Sequence, residues 1–206
     1  VSILLAVFTL AQVLTACGIN TGIHTMSAIV SVESGGNPNA IHDNTTGRSY
    51  FPQQSADAVA LASGLVGAGH SVDLGLAQIN SGNLPGLGLS VQSMFDPCIN
   101  VRAGAQILSG DYSRAVQRFG PTEYAALRAI GAYNTGQLTA GDTYITKVLD
   151  AYDPGPVPPP VSPAVAAPTQ TSVAPKAKSV RRKKMRAPVT PADAPLLVPL
   201  GGMQPR

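Results

Sequence analysis

Three short stretches of this 206-residue chain carry polar side chains where an apolar helix or a tight turn would aim them inward. The first is Glu33-Ser34. Ahead of it, Ile23, Met26, Ile29, Val30 and Glu33 recur at intervals of three and four, which predicts a helix over 23–33 with Glu33 near its apolar face. Gly35-Gly36 and then Pro38 end that helix. A carboxyl group there meets the negative end of the helix dipole, and apolar neighbours take water from it. Both effects disfavour ionisation. An acid that holds its proton near neutral pH can act as a general acid. Taken alone, Glu33 reads more simply as a solvated residue closing a helix.

The second stretch is Gly75-Leu76-Ala77-Gln78-Ile79-Asn80, which sets the amides of Gln78 and Asn80 among small residues and lets a polymer approach the backbone. In isolation it is a turn between helices. The third is Ala132-Tyr133-Asn134-Thr135-Gly136, with Tyr144 following. Tyrosines offer a sugar an apolar face and a hydroxyl, and Asn134 can both donate and accept. By itself this is a helix end with core tyrosines.

The elements that must position these groups read as helical. A helix is expected over Ala56–Val66 with Ser55 as its cap, and another from Asp96-Pro97 through Val101, Ala105 and Leu108 to a stop at Gly110. Pro121-Thr122-Glu123 opens a helix running to about Tyr133 and closed by Asn134-Thr135-Gly136, and a last one begins near Asp142. Strand signals are weak, and a short pair within 40–54 is the one candidate. There are no internal repeats.

Charge and proline divide the chain. Residues 1–152 carry 6 Lys/Arg against 9 Asp/Glu, whereas 153–206 carry 8 against 2 and hold 13 of the 18 prolines. The basic balance therefore belongs to the tail, and the body is not a nucleic-acid-binding surface. Residues 153–206 have too little apolar surface to offset the entropy of ordering and read as a disordered, Pro-rich basic tail. Its Arg181-Arg182-Lys183-Lys184 run is either a solvated linker or a contact for an anionic partner. That leaves 1–152 as one folded domain.

Cys17 and Cys98 lack any CxxC or Cys/His company, and His24, His42 and His70 are scattered. No metal and no cofactor are expected. The two cysteines suit a disulfide in a cell-envelope protein, with two separate buried thiols as the alternative. Val1–Ala16 is apolar and uncharged, shorter than the about 20 residues of a membrane span. It ends in Leu14-Thr15-Ala16-Cys17, which looks like a lipoprotein processing site; an amphipathic first helix ending at Cys17 is the preferred reading.

In order, Glu33-Ser34, Gly75–Asn80 and Ala132–Gly136 resemble the soluble lytic transglycosylase family, whose fold is lysozyme-like. Ser31–Pro38, the insert ending in Gly69-His70-Ser71-Val72-Asp73-Leu74, and Phe95–Gly104 resemble more narrowly the lytic transglycosylase of type IV secretion and conjugation systems. The resemblance covers roughly 10–152. Where that family often has Met or Gly this chain has Ala77, a small residue expected to keep the groove open and alter sugar contacts.

The resemblance implies a mainly α, lysozyme-like (α+β) domain in the periplasm or cell envelope, acting on peptidoglycan glycan strands. It implies Glu33 as the catalytic acid and base, substrate binding by Ser34, Gln78, Asn80, Tyr133 and Asn134, and Tyr144 beside Glu33. Cleavage between N-acetylmuramic acid and N-acetylglucosamine would leave a 1,6-anhydro end. Two rivals stand beside it. A hydrolytic muramidase would want a second carboxylate, for which Asp43 and Asp73 are candidates. A non-catalytic glycan-binding scaffold would recruit secretion-channel proteins through the tail. A monomer is expected.

Overall fold

The computed structural model describes residues 10–19 and 22–155. In chain order these form α1 (Leu10–Ala16), α2 (Ile23–Ser34), β1 (Ile41–Asp43), β2 (Arg48–Tyr50), α3 (Ser55–Gly67), β3 (Val72–Leu74), β4 (Ile79–Asn80), α4 (Leu84–Leu87), α5 (Pro97–Phe119), α6 (Glu123–Thr135) and α7 (Asp142–Asp150). The class is mainly α with a small sheet, as the sequence led us to expect. The tail assigned to 153–206 lies outside the described residues from 156 onward, as do 1–9. Among the described residues, no helix is long and apolar enough to cross a membrane.

Local chemistry explains the starts of α5 and α6. Asp96 caps α5 by accepting from the Ile99 amide at 2.8 Å, and Pro97 occupies the first turn, where no intrahelical N–H is missed. Thr122 caps α6 by accepting from the Ala125 amide at 3.2 Å. α3 begins one residue earlier than expected: Ser55 is its first residue and Gln54 stands at the cap without a side-chain bond.

A second expectation is overturned. α5 does not stop at Gly110 but continues to Phe119. A glycine costs a helix about 1 kcal/mol relative to alanine, and tertiary burial outweighs that. Val101, Gly104, Leu108, Asp111 and Ala115 are buried at intervals of three and four straight through Gly110, which itself faces solvent.

The sheet has the order β2-β1-β3-β4, all antiparallel. Its β1–β2 hairpin, pairing Ile41 with Tyr50 and Asp43 with Arg48, is the pair expected within 40–54. β3 and β4 were not expected, since strands of three and two residues are too short to display alternation. Asp43 is fully buried and accepts from the Thr45 amide, the Thr46 hydroxyl at 2.6 Å and His70 Nδ1 at 2.9 Å. The Thr46 bond is the largest influence holding its carboxyl down to about 2. It thereby ties the β1–β2 turn to the chain entering β3.

Cys17 and Cys98 form a disulfide across a separation of 81 residues, joining the end of α1 to the first turn of α5. This decides between the two readings left open for the cysteines. Cys17 stands immediately after the last residue of α1. Arg102 Nη1 donates to the Cys17 carbonyl at 3.2 Å, closing the same junction.

The main helix pair is α5 with α6. α6 turns Ala125, Ala126, Ala129 and Ala132 inward, so the two backbones lie close. Gly104 of α5 is held to glycine by its surroundings. A Cβ there would come within 2.8 Å of the Ala77 methyl, 3.0 Å of Tyr133 Oη and 3.2 Å of Met26 Cε. At this point α2, α5, α6 and the 75–78 turn meet, and the site is built above it.

Candidate active site

Asn100 sets the floor. It is fully buried on α5, accepts from the Ala77 amide at 2.7 Å, and donates to the carbonyls of Leu74 and Met94 at 2.8 and 2.9 Å. One side chain thus satisfies two backbone groups of the turn and one of the segment before α5. Gly75 is needed against it: with φ +73°, a Cβ there would meet Asn100 Nδ2 at 2.4 Å. Gln78, also at positive φ (47°), completes the turn.

A cavity of about 390 Å³ opens beside this turn, lined by Glu33, Asp73, Gln78, Asn80, Tyr133 and Asn134 among others. Three stretches from distant parts of the sequence therefore bring five of the expected residues to one place. Asp73 joins them. Asp43 does not, being committed inside the hairpin turn.

Glu33 stands near the C-terminal end of α2, half-buried in the cavity wall. Tyr144 of α7, 111 residues away in sequence, donates its hydroxyl to Glu33 Oε1 at 2.5 Å. Burial dominates its titration and pushes the carboxyl up from 4.5 to about 7; the Tyr144 bond opposes this, and the Asp73 charge adds to it. Near neutral pH a large fraction of Glu33 thus carries a proton. Burial and the Glu33 charge push the Tyr144 phenol up, so it stays a donor.

The amides and hydroxyls of the motif are largely spent on the protein itself. Gln78 Nε2 donates to the carbonyls of Ala40 (3.1 Å) and Gly75 (2.8 Å), which leaves its amide oxygen as the group able to meet a ligand. Asn80 Nδ2 donates to Ser71 Oγ and Asp73 Oδ1, and its Oδ1 accepts from the Gly82 amide. Tyr133 donates to the Ala77 carbonyl at 2.8 Å and offers the cavity its ring. Ser34 is turned to the backbone: it donates to the Val30 carbonyl and accepts from the Gly36 amide, both at 3.2 Å. Asn134 is exposed at the rim.

Ala77 differs from what was expected of it. Its methyl is fully buried against Gly104, because its amide and carbonyl are pinned by Asn100 and Tyr133. Its small size lets α5 approach.

Asp111 and Arg114, on the part of α5 beyond the mistaken stop, also line the cavity and were missed. Continuing the interval of three and four from Gly104 through Ile107 would have found both. Asp111 Oδ1 accepts from Arg114 Nη2 at 2.5 Å, and burial pushes its carboxyl up. Among the described residues, no three His, Cys, Asp or Glu side chains are grouped to hold a metal ion.

Comparison with known proteins agrees with this geometry. The model of the transglycosylase SLT domain family matches residues 20–148. Protein virB1 of Agrobacterium fabrum is 37% identical over 137 residues, covering 66% of this chain and 56% of that protein. The type IV secretion system protein virB1 of Brucella abortus biovar 1 is 38% identical over 146 residues, covering 66% of this chain and 61% of its own length. The chain thus spans less than two thirds of the curated relatives it matches. No solved structure matches it at a significant level. With the family model covering more than half of its length, the chain belongs to the transglycosylase SLT domain family.

Proposed function

We propose that this protein is a peptidoglycan lytic transglycosylase that opens the cell wall locally for a type IV secretion or conjugation apparatus. The observation that carries the reading is Glu33: a half-buried acid protonated to about pH 7, bonded by Tyr144, on the wall of a polar cavity. In the proposed reaction Glu33 gives its proton to the glycosidic oxygen between N-acetylmuramic acid and N-acetylglucosamine, and the C1–O bond breaks. The sugar's own acetamido oxygen shields C1, so no second protein carboxylate is required. The Glu33 carboxylate, steadied by Tyr144, then takes the proton of the C6 hydroxyl while O6 bonds to C1. The 1,6-anhydro ring closes, Glu33 is protonated again, and no water is consumed.

Family membership supports a peptidoglycan substrate, and the type IV secretion relatives support the setting. The periplasm is the compartment that joins these, and a disulfide agrees with it. We assign the basic tail, which lies outside the described residues, to contacts with secretion-channel proteins, and the catalytic body to a monomer.

Hydrolysis by a muramidase is the second reading, favoured by one observation: Asp73 shares the cavity and its charge acts on Glu33. Mass spectrometry of digested peptidoglycan separates the two. Fragments with 1,6-anhydro ends, one water lighter, support the transglycosylase; free reducing ends replace it with hydrolysis. Loss of both products in Glu33→Gln distinguishes either enzyme from a glycan-binding scaffold.

A further inference from the structure

The stripe of α5 that faces the cavity carries a carboxylate with no part in the reaction above. Asp111 is 7% exposed yet lines the cavity. Its two oxygens are unequal. Oδ1 accepts from Arg114, whereas Oδ2 is buried and no group among the described residues donates to it. A buried acceptor left unpaired is costly, and native structures keep few of them without a reason. The side chain that carries the orphan lines a wall that a polymer would occupy, one helical turn from Ile107 and three residues before Arg114, which line the same wall.

We propose that Asp111 is a substrate-recognition residue whose Oδ2 accepts a hydrogen bond from a neutral donor of the glycan, an acetamido N–H or a ring hydroxyl. The inference rests on the glycan-cleaving reading of the cavity. Charge decides against a cationic ligand group: Arg114 already balances Asp111, so what remains to be met is one hydrogen bond and not one positive charge. Arg114 is half-exposed, with 52% of its side chain open to solvent, so it can stay solvated while the strand settles against Asp111. Burial also holds the Asp111 carboxyl above its ordinary range, which a donor arriving at Oδ2 would counteract. Asp111 does not donate a proton to the scissile bond. It fixes where a sugar sits relative to Glu33.

Two measurements test this. In the first, soluble peptidoglycan strands are cleaved by the native chain, Asp111→Ala and Asp111→Asn. Removing one hydrogen bond to a charged group should raise KM about tenfold in Asp111→Ala, with a smaller change in kcat. Asn retains a carbonyl acceptor of the same shape and should recover most of the loss. In the second, binding of chitohexaose and of cellohexaose is titrated in the Glu33→Gln background, with and without Asp111→Ala. Weakening of chitohexaose alone by about tenfold assigns the donor to the acetamido group, and equal weakening of both assigns it to a hydroxyl.

A change in Tm with KM and binding unmoved reduces Asp111 to a structural role and overturns the proposal, as does a loss confined to kcat. If the Glu33→Gln parent binds neither oligosaccharide, the glycan reading of the cavity itself fails, and Asp111 with it. The binding arm needs no turnover, so the two failures are told apart.

Discussion

Glu33→Gln should make this protein more stable above neutral pH, and by a calculable amount. In the folded chain the Glu33 carboxyl titrates near 7, against 4.5 for an unperturbed glutamate. The folded state therefore holds a proton that the unfolded chain releases between those values. Stability is full below about pH 4.5, falls as pH rises toward 7, and is constant beyond. The gap of about 2.5 pH units, at about 1.4 kcal/mol each, comes to about 3 kcal/mol. Glutamine carries no charge to desolvate and keeps an oxygen for the Tyr144 hydroxyl. Its stability should lack this component of the pH dependence.

The assay is urea denaturation of both proteins at pH 4 and pH 8. The quantity read is the change in their stability difference between the two pH values, which cancels any fixed cost of the substitution. The variant should gain about 3 kcal/mol on the native chain across that interval, or roughly 6–12 °C in Tm for a domain of this size. Parallel pH curves for the two proteins would mean that Glu33 is not desolvated in solution, and the acid role built on it would go too. The same proton links stability to activity: the charged form that is costly to bury is the form in which the acid is spent.

Removing the hydroxyl in Tyr144→Phe takes away the bond that favours ionised Glu33. The alkaline limb of the pH–rate profile should move above 7 while turnover falls about tenfold; an unshifted limb at full rate counts against the pairing. Asn100→Ala strips three buried bonds, to Leu74, Ala77 and Met94, and should cost about 3 kcal/mol in urea denaturation, whereas a loss below 1 kcal/mol would show these segments holding themselves. Reducing Cys17–Cys98, which closes a separation of 81 residues, should lower stability by about 4–5 kcal/mol in the chain-entropy picture, with Cys17→Ser/Cys98→Ser showing the same midpoint in the absence of reductant.

Helix starts were legible because the groups that make them are neighbours in sequence. Asp96 with Pro97 and Thr122 before Glu123 announce α5 and α6 whatever the rest of the chain does. The stop at Gly110 was misjudged for the converse reason. A glycine weakens a helix locally, and only the packing of Leu108, Asp111 and Ala115 against other elements reveals that the helix survives it. β3 and β4 were invisible because their pairing, Leu74 with Ile79 and with Ile41, supplies what three residues alone cannot.

The order of the polar stretches and the place of Glu33 at a helix end were legible in the sequence alone, since residue types and helix ends are local properties. Only the tertiary structure decided what each group is free to do. Gln78, Asn80 and Tyr133 are the residues that name the motif, yet most of their polar atoms hold the turn together. Asp111, which no motif marks, lines the cavity and keeps one buried oxygen unpaired among the described residues. Proton affinity and hydrogen-bonding capacity depend on water excluded and partners supplied by other segments, such as Tyr144 at Glu33 from 111 residues away. Those relations exist only once the chain has closed on itself.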